Sequence, residues 1–130
     1  MSDTLAHIRN SVAARRRTVR LRMSSASVSL ARALHRAGYA SGFSVTSTLA
    51  QGSRLPRWVH LELRRGDSPP AMREVALASR PGLRMHARVA SLRRYRYGHG
   101  AAILSTSKGM ITDRLAQRLG IGGEVVCHVL

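Results

Sequence analysis

The chain is short of acidic, aromatic, cysteine and lysine residues. Its 130 residues include six acidic side chains against 22 basic ones, for a formal net charge of +16, and only one Phe, one Trp and three Tyr. Small aliphatic residues must therefore fill most of a globular core. Cys127 is the only cysteine, which excludes an internal disulfide and favours a reducing compartment. No apolar run approaches the roughly 18 residues of a membrane span, so we expect no membrane partner.

The excess of positive charge is the strongest functional signal. A compact protein with this charge repels itself and attracts polyanions. Nucleic acid is the expected partner, because each neutralised phosphate releases condensed counterions. Charge alone does not separate RNA from DNA or from an acidic membrane surface. Lys108 is the only lysine, and a G+C-rich genome explains the arginine excess as well as selection for guanidinium chemistry does.

The residues that could carry catalysis lack their usual companions. Ser105 and Lys108 match the S-x-x-K pattern of serine acyl enzymes, but the S-D-N and K-T-G elements of those enzymes are absent. The order G-K-[ST] of a phosphate-binding loop is also absent. The six histidines show no metal-binding spacing, and the six acids form no cluster. We therefore expect no catalytic residue, no metal, no cofactor and no small-molecule substrate, with an acyl enzyme as a minor alternative.

The first half of the chain alternates between helical and strand patterns. The segment "SDTLAHIRNSVAARR" has Leu5, Ile8 and Val12 at helical spacing, with Ser2 or Asp3 as the expected N-cap. "RTVRLRM" alternates as a half-buried strand, and "SSASVSLARALHRAG" returns to helical spacing before a terminating glycine. Two further strands are predicted in "YASGFSVTSTLA" and "RWVHLELRR". Residues 1–65 thus predict an αβαββ unit with two helices on one face of a short sheet.

The second half is predicted to be mostly β. Residues 66–73 contain Gly and two prolines, and we interpret them as a linker to a second domain at 74–130. "EVALASRPGLRM" predicts two extended pieces joined at Pro81 and Gly82. "AAIL" predicts a strand, Met110 to Leu119 a short helix ended by Gly120, and "GGEVVCHVL" a closing strand. The fold class is α+β, with two small domains, the second a mostly β unit with short helices.

Residues 105–109, "STSKG", place three hydroxyl side chains before the only lysine. A helix N-cap explains part of this run, since Ser107 or Thr112 could accept from free amides and Gly109 permits a tight turn. Capping uses one hydroxyl and leaves two without a role. Short hydroxyl side chains also suit close approach to the minor groove of an RNA helix, where 2′-hydroxyls are displayed. Lys108 would then contact phosphate.

Residues 93–100, "RRYRYGHG", interleave three arginines with tyrosines. This composition is typical of segments that hold bases or phosphates. A solvated basic loop whose tyrosines pack inward explains it equally well. Whether residues 87–100 form a short helix or a loop is open.

Four stretches together resemble one known family. "DTLAHIRN", "SRPGLR", "STSKGMITDR" and "GIGGEVVCHV" are similar to the family of the eighth protein of the small ribosomal subunit, in its bacterial and organellar form. The matches occur in the family's order and span residues 3–129. The resemblance implies two small α+β domains and a protein that binds the central domain of small-subunit rRNA. It also implies a role in subunit assembly and neighbouring small-subunit proteins as further partners.

The resemblance carries the family's hydroxyl-rich rRNA loop onto residues 105–109 and its acidic position onto Glu124, where a carboxylate would hold loop amides or hydroxyls in position. His86 and His128 stand where the family often has tyrosine, and imidazole offers less stacking area. The RNA-binding residues predicted from the resemblance and the basic character of the chain are Ser105, Thr106, Ser107, Lys108, Gly109, Glu124, Arg84, His86, Arg93, Arg94, Arg96, Arg9, Asn10, Arg15 and Arg16.

The compartment and the breadth of binding leave alternatives. Because residues 3–10 already match the family's first helix, we expect no long presequence, and the arginine-rich, lysine-poor composition favours a mitochondrial ribosome. A bacterial or plastid ribosome is the alternative. A general nucleic-acid-binding protein of nucleoid or regulatory type is the alternative function, which charge alone would support.

Overall fold

The computed structural model describes residues 1–46, 57–64, 71–95 (the side chains of 93–95 excepted) and 100–130. These residues form three α-helices, eight strands and one 3₁₀ helix. In chain order they are α1 Ser2–Ala13, β1 Thr18–Arg22, α2 Ser25–Arg36, β2 Ala40–Thr46, β3 Trp58–Leu63, β4 Val75–Leu77, β5 His86–Ala87, the 3₁₀ helix Val89–Tyr95, β6 Ala101–Thr106, β7 Gly109–Thr112, α3 Asp113–Leu119 and β8 Gly123–Val129. The predicted α+β class is confirmed.

The first sheet is antiparallel, with strand order β1-β3-β2. Val19 lies opposite Leu61, and Leu21 lies opposite Val59, so the apolar side chains of both strands share one face. α1 and α2 cover this face, and their buried residues join those of the sheet in one core. The αβαββ order and the two helices on one face are as predicted. No helix of the described segments is long and apolar enough to cross a membrane.

The two helices begin and end differently from each other. α1 begins at Ser2 with Met1 in the N-cap position and no side-chain cap, so the prediction that Ser2 or Asp3 caps this helix is wrong. At the start of α2 the Ser24 hydroxyl accepts from the Ser27 amide at 3.0 Å. α2 ends at Arg36, and Gly38 follows with a φ of 85°, a conformation that glycine adopts without strain.

The second sheet has strand order β4-β8-β6-β7, and β5 also pairs with β8. One face of this sheet completes the core beneath α1 and α2. The other face is covered by α3 and the 3₁₀ helix, which pack a second apolar cluster around Leu92, Leu104 and Val125. The closing strand and the strand at "AAIL" are confirmed, as is the turn at Pro81 and Gly82, which is closed by a bridge between Arg80 and Leu83.

A β-bulge in β8 changes which residues face each side. Ile103 pairs with Cys127, but the next residue, Leu104, pairs with Val125, so Val126 is an extra residue in β8. Val126 and Cys127 therefore both belong to the core beneath α1 and α2, whereas Val125 belongs to the cluster beneath α3. Strict alternation along a strand would place Val125 on the same face as Cys127 and Val129, and the bulge moves Val125 to the other face because it shifts the period of two.

The core beneath α1 and α2 contains residues from both halves of the chain. Met72, Ile103 and Cys127 pack in the same cluster as Leu5 and Leu34. Burial raises the pKa of the Cys127 thiol to about 12, so the thiol is neutral at physiological pH. The division into domains at 66–73 stays a prediction, and residues 66–70 lie outside the described residues.

The segment after the "STSKG" run differs from the prediction. Residues 109–112 form strand β7, and α3 begins only at Asp113. Ile111 and Leu115 have helical spacing, but Ile111 lies opposite Leu104 on β6, and this strand pairing takes residues 109–112 out of the helix. The remaining helix ends as predicted, with Gly120 at a φ of 68°.

β8 approaches β6 very closely at Gly123. A Cβ at Gly123 would collide with the Ser105 carbonyl oxygen and lie 2.9 Å from Thr106 Cγ2, whereas a Cβ at Gly82 would meet nothing within 4 Å. We expect Gly123→Ala to lower the free energy of unfolding by about 1–3 kcal/mol, as overpacking does. Gly82→Ala should change it by less than about 0.5 kcal/mol. Urea denaturation of both variants measures this, and equal stabilities would contradict the close approach.

Candidate nucleic-acid interface

The "STSKG" run lies at the tip of the hairpin formed by β6 and β7. Thr106 pairs with Gly109, so Ser107 and Lys108 form the connecting turn. Both turn residues are exposed, and Gly109 has a φ of 93°, which favours glycine. The run is therefore a protruding β-turn. It is not a helix N-cap, because Thr112 caps α3 by accepting from the Leu115 amide at 3.3 Å.

The Thr106 hydroxyl is used within the turn itself. It donates to the Gly109 carbonyl at 2.8 Å and accepts from the Lys108 amide at 3.2 Å. These two bonds cross the turn and hold its backbone in one conformation. Among the described residues, the Ser105 and Ser107 hydroxyls have no hydrogen-bond partner. The three hydroxyls thus divide into one that shapes the turn and two that can bind a ligand.

Four side chains form a row across the sheet behind the turn. Met110 lies opposite Ser105, Ser105 lies opposite Glu124, and Glu124 lies opposite His86. Directly opposed residues of antiparallel strands point to the same face, so the row crosses β7, β6, β8 and β5. His86 is exposed, and the other three are half-buried. The structure therefore brings together three predicted site residues that are widely spaced in sequence.

Glu124 is paired with Arg84. The Arg84 Nη1 donates to Glu124 Oε1 at 3.1 Å, and the two side chains are 58% and 24% exposed. The family resemblance predicts that Glu124 holds loop amides or hydroxyls, whereas in the structure its carboxylate binds the Arg84 guanidinium. An exposed pair of this kind contributes little stability. Its effect is to orient Arg84, whose remaining N–H groups stay available to a ligand.

Ser79 is a positioning residue that the sequence analysis missed. Its buried hydroxyl donates to the Val125 carbonyl at 2.6 Å and accepts from the Met85 amide at 3.0 Å. It therefore fixes the segment that carries Arg84 and His86 against β8, beside the bulge. Only the spacing in "SRPGLR", a serine before a turn, could have suggested this role.

The N-terminus of α1 forms a wall beside the row. A groove of about 310 Å³ lies between Met1, Ser2 and Leu5 on one side and the sheet residues on the other. The residues that line this other side include Ser105, Met110 and Glu124 from the sheet, and Ser79 and Arg84 from the connection between β4 and β5. Nothing in the sequence pattern predicts that this helix end adjoins the hairpin.

The predicted RNA-binding residues of the N-terminal region lie farther from the row. Arg9 and Asn10 are exposed on α1, and Arg9 lies one helical turn beyond Leu5, which lines the groove. Arg15, with a φ of 53°, and Arg16 are exposed beyond the far end of α1. The structure does not bring these last two to the row.

Arg93 and Arg94 lie in the 3₁₀ helix, which answers the open question of helix or loop for residues 89–95. Their side chains and all of Arg96 lie outside the described residues, so their contacts with RNA stay predictions. His128 lies opposite Ala102, whose side chain packs beneath α3. It therefore faces away from the row.

The interface is basic and, within the described residues, has no metal-binding character. Arg84 and Lys108 flank a single carboxylate, Glu124. No group of three or more His, Cys, Asp or Glu in the described segments could hold a metal ion. The arrangement offers hydroxyl groups, turn amides and positive charge to an anionic ligand.

A family model and individual relatives of known name indicate the same protein family. The family model described as Ribosomal protein S8 matches residues 1–130. A protein of Cellvibrio japonicus named "Small ribosomal subunit protein uS8" is 40% identical over 129 residues, covering 99% of this chain and 95% of the relative. Proteins with the same name from Pseudomonas entomophila and Ectopseudomonas mendocina are each 38% identical over 129 residues, with the same coverage.

Thr106→Ala should destabilise the turn without unfolding the protein. It removes two hydrogen bonds, which together stabilise the hairpin by about 1 kcal/mol because the site is exposed to water. Thr106→Ser keeps the hydroxyl and is the matched control. Amide hydrogen exchange at Lys108 and Met110 should accelerate in the alanine variant and not in the serine variant. Unchanged exchange in both would remove Thr106 from this role.

Ser79→Ala should have a larger effect on stability. It leaves the Met85 amide without its acceptor at a partly buried position and removes the buried bond to the Val125 carbonyl, which we expect to cost about 1–3 kcal/mol. Ser91→Ala is the control, because the Ser91 hydroxyl donates to the Arg88 carbonyl at 3.0 Å at an exposed site. Urea denaturation compares the two. Equal losses would show that the Ser79 bridge does not secure the Arg84 segment.

Proposed function

The chain belongs to the ribosomal protein S8 family, and on that premise we propose that it is a structural constituent of the small ribosomal subunit that binds small-subunit rRNA. Proteins of this family are structural, non-enzymatic components of the ribosome, which agrees with the prediction that this chain is not an enzyme. The resemblance drawn from the four sequence stretches is confirmed.

The row of Ser105, Glu124 and His86 beneath the exposed turn is the observation that carries the proposal. The minor groove of an RNA helix is wide and shallow and displays 2′-hydroxyls, which both donate and accept. A narrow turn whose side chains are short can enter this groove. The Ser105 and Ser107 hydroxyls would then meet 2′-hydroxyls and base edges.

Positive charge would complete the contact on either side of the turn. Lys108 at the tip would bind a phosphate as a compact charge. Arg84, oriented by Glu124, would present its fork of N–H groups to a second phosphate. Glu124 itself would be kept from repelling RNA, because Arg84 neutralises its charge at 3.1 Å.

We infer the finer partners from the family. The rRNA elements would be helices of the central domain, the contact would support subunit assembly and translation, and neighbouring small-subunit proteins would be further partners. The named relatives are bacterial, which supports the alternative of a bacterial cytoplasmic ribosome. The mitochondrial ribosome expected from composition stays a prediction that these relatives do not support.

The turn should provide specificity, and the charges should provide general affinity. We expect Ser107→Ala to weaken binding to a central-domain rRNA fragment by about 1 kcal/mol, with the salt dependence unchanged. Lys108→Ala should weaken binding to every RNA similarly and reduce the slope of log affinity against log salt by about 1. Fluorescence anisotropy at several salt concentrations measures both.

The matched control is Ser44→Ala, an exposed serine on β2 of the other sheet. Unrelated RNA duplexes and DNA duplexes of equal length provide the comparison ligands. A general nucleic-acid-binding protein would bind all of them as tightly as the rRNA fragment at matched salt. That result, together with failure to sediment with small subunits, would contradict the proposal.

A further inference from the structure

A second concave site shares one lining residue, Met110, with the groove beside α1. A cleft of about 320 Å³ separates the C-terminal end of α2 from β7 and α3. Its charged walls are Arg36, from α2, and Arg114 and Arg118, from α3. Tyr39, just beyond α2, lines it as well. The proposed rRNA turn lies at the end of β7 farther from α3, and the charged residues of the two sites differ, since Arg84 and Glu124 line the groove and the three arginines line the cleft.

No acidic side chain of the described residues neutralises the three arginines of this cleft. None of them forms an ion pair with a described residue, and the cleft lining contains no Asp or Glu from the described part of the chain. Asp113, which precedes Arg114 in the sequence, is fully buried and accepts from the Ala102 amide at 3.2 Å. Arg114 and Arg118 are four residues apart on one helix, a spacing at which like charges repel. An anion in the cleft would relieve this repulsion.

The cleft also has an aromatic and apolar part, formed by Tyr39 and small apolar residues. Burial raises the pKa of the Tyr39 phenol, which Arg114 partly opposes and Asp113 reinforces, so the phenol stays protonated and can donate. Ala33, Ala101 and Ile111 form an apolar floor. Single-stranded nucleic acids bind where positive charge and an aromatic ring occur together, since every base has a face that stacks.

We propose that this cleft binds one unpaired nucleotide of RNA, with its phosphate held by Arg36, Arg114 and Arg118 and its base against Tyr39. The proposal rests on the proposed function in that RNA is the ligand, but it adds a second, single-stranded contact to the duplex contact of the turn. The size fits a small ligand and excludes a helix. An acidic protein segment would satisfy the arginines but would leave the ring and the apolar floor without a partner.

The full-length protein and a single-stranded RNA pentamer containing one bromouridine provide the test. Ultraviolet cross-linking followed by mass spectrometry should place the cross-link on Tyr39. The double variant Arg114→Ala with Arg118→Ala should lose about tenfold or more in affinity for the pentamer, because it removes two charge-assisted phosphate contacts. Circular dichroism confirms that the variant is folded.

The double variant Arg22→Ala with Arg73→Ala is the matched control, since both arginines are exposed and lie outside the cleft. It should lose no more than about threefold, because distant exposed charges are screened. Equal losses in the two double variants, or a cross-link away from the cleft, would overturn the proposal. So would a glutamate-rich peptide that binds as tightly as the pentamer and displaces it, which would assign the cleft to an acidic protein partner.

Binding of a duplex rRNA fragment is measured on the same variants. If wild-type protein binds the duplex and not the pentamer, only the cleft proposal fails. If it binds neither, the proposed function fails as well. Retained duplex binding with selective loss of the pentamer in the arginine double variant is the result that we expect.

Discussion

The pairing of β6 with β8, and the bulge at Val126 within it, is the constraint on which both the core and the interface depend. The extra residue lets Val126 and Cys127 enter the same core. It also reverses the direction of every residue that precedes it in β8. Glu124 therefore faces Ser105, and Val125 fills the opposite cluster. Without the bulge, the Glu124 carboxylate would point to the side of the sheet that α3 covers, away from Ser105 and the rest of the row.

Hydrophobic periodicity was enough to predict most helices and strands, because each has a face that must be buried. It predicted α2 and β3 well, since Leu34 and Leu61 lie where their patterns require. It could not predict the bulge, because one inserted residue leaves no trace in the composition of β8. It also assigned Ile111 wrongly to the helix. Ile111 and Leu115 are four residues apart, and this spacing fits a continuous helix as well as a strand that is followed directly by a helix. Pairing with β6 decides such cases, and pairing is not a local property.

The site was predictable in part. The hydroxyl run and Gly109 identified the turn locally, and the family resemblance contributed Glu124. The partnership of Arg84 with Glu124 joins residues far apart in sequence and depends on Ser79, which holds the intervening segment to β8. The α1 wall of the groove is likewise a product of the tertiary fold. Sequence reasoning therefore identified the groups that can bind and missed those that position them.

The core beneath α1 and α2 has a consequence for the order in which the chain is made. The two helices are synthesised early, but Met72, Ile103 and Cys127, which cover their apolar faces, follow much later. A nascent chain that lacks β8 would have only the first sheet against those faces and would leave part of their apolar surface uncovered. β8 closes the core and carries the carboxylate of the interface. The completed core and the complete row of the interface should thus form together, at the last stage of synthesis.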